Sequence, residues 1–463
     1  MDDHPSISAY VSAPWLSHYP PGVPVHMDVP ETSLPAVLRS TAQRQPRQVA
    51  TIFFGSRMTY AQLDRQADRV AVALQRLGVG RGDRVALILP NSPQEVYSFY
   101  GALRLGAVVT LVNPLYTEPE IQHQLADSEA RVAIVLDRMW TKVAAVLAQT
   151  SLEHVIVSAV EDELRFPLST LSNLRKQKVD LPSEVDVPSE VHTPGNVSAR
   201  SVRVHRLPQL LTEAAQSHLT PPELAIRADD LALLQYTGGT TGVAKGAMLS
   251  HRNLYSNAMA CAAWIGSREP EKIVGALPLF HVYGLTTVLN FAIVTGSAVI
   301  LLPQFDVKSL LKTITQERPT LFPGVPTMYV AINRFPAVGK YDLSSIRACI
   351  SGSAPLPVEV QKEFSRRTGA QMIEGYGLTE ASPVTHANPL QGGRIGTIGL
   401  PWPDTEAMVI DPETAEPVPV GEVGELAVRC PQVMLVYWNR PEETAEVLRE
   451  GWLYTGDLAR MDQ

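Results

Sequence analysis

The sequence predicts an α/β protein: two related, mostly parallel sheets packed with helices in layers, followed by a small distorted β-barrel. Three features carry that expectation. Apolar runs of strand length alternate with helical periodicities up to Leu136, the pattern of a parallel sheet covered on both faces. A second alternating unit runs from Asp230 to about Ile373. After Gly396 the chain turns β-rich, with short apolar runs at Glu406–Ile410, Gly424–Arg429 and Val433–Tyr437 among repeated Gly and Pro.

The elements follow in order. Thr59 to Leu77 has helical periodicity, with Thr59 as N-cap and Gly78 as stop. Arg84–Leu89 reads as a buried strand, Pro93–Leu105 as a helix, Val108–Val112 as a strand, Glu118–Asp127 as a helix and Val132–Leu136 as a strand. Regularity lapses between Val160 and Pro222, where seven prolines accompany Arg175, Lys176 and Lys178. That stretch reads as a surface insertion or linker. The expected divisions are 30–222 (with the insertion at 160–222), 223–395 and 396–463, together one body over 1–463. The uncharged stretch Ile273–Phe305 is broken by Pro278, Gly284, Gly296 and Pro303, so it reads as buried core and not as a membrane span.

Composition narrows the function classes. With 45% apolar and 19% charged residues in 463, the chain can bury a core, which excludes wholesale disorder. Thirty-nine Lys and Arg against 47 Asp and Glu give −8, no global footprint for nucleic acid. Three scattered cysteines make neither a disulfide framework nor a zinc cluster. Together with a start, MDDHPSISAY, that lacks signal-peptide character, they point to a reducing, cytoplasmic setting.

One segment dominates the chemistry: Leu231 to Gly246, LALLQYTGGTTGVAKG. A buried strand ends at Tyr236 and enters a run of glycines and threonines closed by Lys245. Glycines let backbone amides converge on a ligand, threonines add hydroxyl donors and lysine adds charge, a combination suited to polyphosphate. It is not a Walker loop, because Lys245 is followed by Gly246. Nor is Gly78-Val79-Gly80-Arg81-Gly82 a dinucleotide fingerprint, since it follows a helix and precedes a strand. A flexible linker is the plain alternative for the Gly-rich run.

Tyr236 to Gly246 resembles the signature of the AMP-forming adenylating enzymes, the superfamily of acyl-CoA synthetases, luciferases and peptide-synthetase adenylation domains. The signature is usually written Y-T-S-G-T-T-G-x-P-K-G; here Gly238 replaces Ser and Ala244 replaces Pro. Four further segments fit in the family's order: PLFHVYG at Pro278–Gly284, SGSAP at Ser351–Pro355, EGYGLTE at Glu374–Glu380 and YTGD at Tyr454–Asp457. Singly, Tyr376 is a core aromatic, Glu380 a solvated residue, His281 a core histidine and Asp457 a turn; their shared order favours the resemblance.

The resemblance implies an adenylation body using ATP, Mg²⁺ and CoA. Thr237, Gly238, Gly239, Thr240, Thr241, Gly242 and Lys245 would hold the phosphates. Gly352, Ser353, Ala354, Pro355, Glu374, Gly375, Tyr376 and Gly377 would line the adenine, Thr379 would touch the α-phosphate, and Asp457 would take the ribose. Thr241 and Glu380 would hold Mg²⁺. His281, Tyr283, Gly284 and Gly375 would face the acid. Thr241, Lys245, His281 and Glu380 are the implied catalytic set.

No acid lies in Pro278–Gly284, which favours an uncharged acyl group over an amino acid. Pro14-Trp15-Leu16, the Pro-rich run to Pro24, and VHRLPQLL at Val204–Leu211 resemble bacterial long-chain fatty-acid–CoA ligases. Some of those place a gating tryptophan where this chain has Leu285, so chain length stays open, with medium-chain and aryl acids as alternatives. A carrier-protein thiol is the alternative to CoA. The basic cluster of the insertion offers contact with anionic lipid, against a plain solvated loop; the oligomeric state stays open, with a homodimer as one option. The chain stops at Gln463, six residues after Asp457, so the family's mobile C-terminal lid is expected to be absent and turnover by this polypeptide slow.

Overall fold

In the computed structural model, the described residues are 10, 12–164, 179–188, 199–238, 243–267 and 269–462. Among them two large sheets and one small one form. The first sheet has the spatial order Gly246–Ser250, Leu231–Tyr236, Val108–Leu111, Arg84–Ile88, Val132–Leu136, His154–Ser158, Ala199–Arg206 and Glu184–Pro188. Its six inner strands run parallel and its two edge strands antiparallel to their neighbours. Every residue of Val132–Leu136 is buried. Side chains alternate between faces along a strand, so both faces of this sheet are covered there.

The second sheet begins with Ser56–Thr59, Val49–Phe53, Ala298–Leu301 and Lys272–Gly275. Leu321 bridges Ile273 to Ala348 and carries it on to Ala348–Ser351, Gln371–Gly377, Val384–Ala387 and Leu400–Pro401. Each large sheet thus draws strands from both sides of residue 222. Part of the irregular stretch is built into the first sheet, as Glu184–Pro188 and Ala199–Arg206, before the helix Leu207–Gln216. The basic cluster Arg175, Lys176 and Lys178 lies outside the described residues.

The third sheet is antiparallel and curled, ordered Glu406–Ile410, Gly424–Arg429, Trp452–Ala459 and Leu448–Arg449. The apolar run Val433–Tyr437 is not one of its strands. It lies along Gly246–Ser250, where Leu435 N–H donates to the Met248 carbonyl and Met248 N–H to that of Val436 (both 2.9 Å). An open edge of the first sheet needs partners for its backbone groups, and this segment supplies them.

Local signals account for most boundaries. The helix Tyr60–Arg76 starts at a capping box between Thr59 and Gln62 and stops before Gly78, whose φ of 82° suits glycine. The stretch Ile273–Phe305 divides into the strand Lys272–Gly275, a helical segment over 282–295 and the strand Ala298–Leu301. Among the described residues no helix is long and apolar enough to cross a membrane.

The helix Pro93–Leu103 is buried along its whole length, Glu95 included. Neither Glu95 carboxyl oxygen has a hydrogen-bond partner among the described residues, and burial pushes its pKa well above the usual carboxylate range. The unfolded chain ionises this group above about pH 4.5 while the folded chain resists, so stability falls as pH rises from there. Glu95→Gln should therefore melt higher than the parent at pH 7, by about 1–3 kcal/mol. The gap should close near pH 4. A gap that persists there, measured by thermal melts across pH, would argue against this account.

Candidate functional site

Strands Leu231–Tyr236 and Gly246–Ser250 are antiparallel, which makes the Gly-rich segment the loop of a hairpin. Thr237 N–H donates to the Lys245 carbonyl at 2.9 Å and closes it. A Cβ at Gly246 would come within 3.3 Å of the Tyr236 ring and 3.5 Å of Trp438, while Gly238 has open space around it. Gly239, Thr240, Thr241 and Gly242 lie outside the described residues.

Lys245 is supported from beneath. Its ammonium stands 5.1 Å from the centroid of the Tyr437 ring, whose face carries partial negative charge. The Tyr437 hydroxyl donates to Glu380 Oε1 at 2.5 Å. Burial, then the nearby Glu380 charge, pushes the Tyr437 phenol up, so it stays protonated and remains the donor. Met434 N–H donates to the Glu380 carbonyl at 2.7 Å. Tyr437 thus joins the loop lysine to the acidic residue, a role sequence reasoning missed. The only available signal was a polar-tipped aromatic in an apolar run.

The Tyr376 hydroxyl donates to Asp457 Oδ2 at 2.6 Å. Burial raises its pKa first, then the bond to Asp457, with a smaller contribution from the nearby Glu380 charge. The edge of its ring meets His386 across the strand pair, centroids 6.0 Å apart. Desolvation holds His386 down to about 3, so it backs the tyrosine as a neutral ring. No side chain fits at Gly377, where a Cβ would lie 2.1 Å from the Pro383 carbonyl oxygen. Thr379 opens the short turn Thr379–Ala381 that carries Glu380.

The neighbouring loop is braced from below. Glu374 accepts from Leu356 N–H at 3.1 Å, and burial raises its pKa. Ser353 has φ of 66°, a left-handed conformation uncommon for a residue with a Cβ. Gly352 rests on Tyr283, 3.1 Å from the ring to where a Cβ would be. Tyr283 is itself buried and donates to the Ile350 carbonyl at 2.8 Å. It shapes the wall from behind. Ala354 and Pro355 are exposed on this loop.

His281 caps the helical segment that follows it. Its Nδ1 accepts from Tyr283 N–H at 3.2 Å, so the neutral ring carries its proton on Nε2. Desolvation lowers its pKa, although part of the side chain stays exposed. A Cβ at Gly284 would fall 2.2 Å from the Pro278 carbonyl oxygen, which leaves glycine as the residue that fits. Leu285–Asn290 then winds as π-helix, a geometry frequent at functional sites. Against this region lies a narrow apolar crevice lined by Cys261, Ile265, Phe291, Leu321, Phe322 and Ile350. A second, polar cavity of about 400 Å³, with Arg57, Arg65 and Arg69 in its wall, contains none of the motif residues.

Residues 38–438 match the model of the family described as AMP-binding enzyme. The chain belongs to that family. It is 43% identical over 454 residues to a long-chain-fatty-acid–CoA ligase of Bacillus subtilis, covering 97% of this chain and 78% of that one. A crystal structure of an anthranilate CoA ligase in complex with anthranoyl-AMP superposes with a TM-score of 0.79 at 27% identity, covering 94% of this chain and 77% of that one. A long-chain-fatty-acid–CoA ligase of Archaeoglobus fulgidus gives 0.77 at 26% identity, covering 96% and 84%.

In this AMP-binding enzyme Lys245, Tyr437 and Glu380 form one connected group, with Tyr376 and Asp457 beside it. Tyr283 and Gly284 serve the scaffold around His281. Among the described residues no cluster of three or more His, Cys, Asp or Glu could cage a metal. A lone carboxylate such as Glu380 still fits Mg²⁺, which commonly takes one or two carboxylates and completes its shell with phosphate oxygens and water.

Proposed function

We propose that this protein activates a fatty acid, of long chain, with ATP. A carboxylate oxygen attacks the α-phosphorus, the bond to pyrophosphate breaks, and the acyl-adenylate then passes its acyl group to the thiol of CoA. The observation that carries this reading is the convergence of Lys245 and Glu380 through Tyr437 beside the Tyr376–Asp457 pair. Anion attacks anion here, so the protein's task is positioning and charge neutralisation. Lys245 lies toward the phosphates, Tyr376 offers a face to adenine, and Asp457 accepts from the ribose hydroxyls. Glu380, with Thr241, would hold Mg²⁺, which when bound spreads the phosphate charge. His281 presents Nε2–H to the acid's carboxylate.

An apolar acyl group is supported by the acid-free segment Pro278–Gly284. Ile350 packs against Gly375, 3.4 Å from its would-be Cβ, and joins the strand Ala348–Ser351 to the segment proposed to line the adenine. The similarity to the Bacillus ligase supports a long chain. An aryl acid is the second reading, favoured by the likeness to the anthranilate ligase.

ATP–pyrophosphate exchange with saturated acids of graded length, benzoate, anthranilate and amino acids tests the proposal. Long saturated acids should support the fastest exchange. Exchange confined to amino acids would overturn the acyl reading, and a maximum with benzoate or anthranilate would favour the second.

A further inference from the structure

The helix Glu118–Asp127 lies against the Gly-rich hairpin and holds it at both ends. His123, half-buried on that helix, places Nε2 2.9 Å from the Ala244 carbonyl oxygen. A carbonyl only accepts, so Nε2 carries hydrogen and donates. The His123 ring also meets Tyr236 edge-on, centroids 6.1 Å apart. One turn further, Asp127 accepts from the Tyr236 hydroxyl at 2.7 Å and from Arg440 at 3.0 Å, and its backbone carbonyl accepts from Trp438 Nε1 at 3.0 Å. Tyr236 is the entry to the loop and Ala244 its exit.

The exit matters because the Ala244 peptide leads directly into Lys245. The carbonyl of Lys245 is held by Thr237 N–H, and its ammonium rests over Tyr437. Ala244 also packs against the cluster of Val108, Leu234 and Tyr236, and among the described residues the hydrogen bond to its carbonyl comes from His123. Position 244 is also where the signature usually carries proline. A proline ring would restrict φ within the chain itself, whereas alanine leaves that freedom to be removed from outside.

We propose that His123 is a positioning residue for Lys245: by gripping the Ala244 carbonyl it supplies the restraint that proline would otherwise build in. This rests on the nucleotide-binding reading above. Lys245 addresses the polyphosphate, so the effect should follow the phosphates of the ligand and leave its base and sugar aside.

Isothermal titration of ATP and AMP into the full chain tests it. His123→Ala should weaken ATP about 3- to 10-fold, the range of one lost hydrogen bond with its preorganisation, and leave AMP unchanged. His123→Gln, whose amide nitrogen reaches about as far as Nε2, should restore ATP affinity; the shorter His123→Asn should not. Ala244→Pro added to His123→Ala should recover most of the loss, a non-additivity expected of residues acting on one peptide. Unchanged ATP affinity in His123→Ala overturns the proposal, as do equal losses of ATP and AMP. If the alanine variant does not fold, the Gln and Asn variants decide, and equal behaviour of those two is likewise contrary. A parent protein that fails to bind ATP overturns the nucleotide reading itself and takes this proposal with it.

Discussion

Glu380→Gln should lower ATP–pyrophosphate exchange about 10²- to 10³-fold while leaving the melting profile close to that of the parent. The amide keeps the size of the side chain, and its oxygen can still accept from the Tyr437 hydroxyl, which now lies 2.5 Å from Oε1. Only the charge is removed. The backbone of residue 380 is held independently by Met434 N–H. Loss of activity with an intact fold would therefore report on charge near the phosphates. Raising Mg²⁺ should recover part of the rate if the carboxylate acts by holding the ion. Exchange at the parental level in a folded variant would remove Glu380 from the site.

Lys245→Met should weaken ATP by about 100-fold, equivalent to about 2.7 kcal/mol, with a much smaller effect on AMP. Methionine keeps an unbranched apolar stem that can still pack on Tyr437, and the hairpin closure through Thr237 N–H uses only the backbone of residue 245. The ammonium is what disappears. Calorimetric titration of both nucleotides measures the split. Equal weakening of the two would mean that the lysine supports the loop's shape and does not meet the phosphates.

These two expectations depend on different levels of information. Glu380 stood out only through the resemblance of its segment to the family's motif. Lys245 stood out in the chain as a candidate, because glycines, threonines and a lysine after a buried strand are a local pattern. The strands and helices of the first unit were legible for the same reason. Thr59 reaches only as far as Gln62, and Val132–Leu136 is apolar at every position, so each reports its own conformation. Tyr437 was not legible. It lies 57 residues from Glu380 in the chain, and a polar-tipped aromatic in an apolar run does not by itself say which lysine or carboxylate it meets. The same holds for Val433–Tyr437 as a whole, whose continuous apolar run suits a strand of the small sheet equally well.

Sheet membership separates the two levels further. Val49–Phe53 has the composition of a buried strand, which decides that it pairs but not with what. Its neighbour Ala298–Leu301 comes from the far side of the Gly-rich loop. By itself the sequence determined the α/β class and the order of the elements, and it pointed to a loop suited to phosphate and to an uncharged acyl group. All of these follow from side-chain chemistry and from contacts a few residues apart. Only the tertiary structure decided that the hairpin is gripped by His123 and Asp127, that Lys245 and Glu380 share Tyr437, and that Tyr283 braces Gly352 from behind. Each of those joins residues far apart in the chain. Their pairing is set by which buried surfaces and hydrogen-bonding groups can be satisfied together once the sheets have closed.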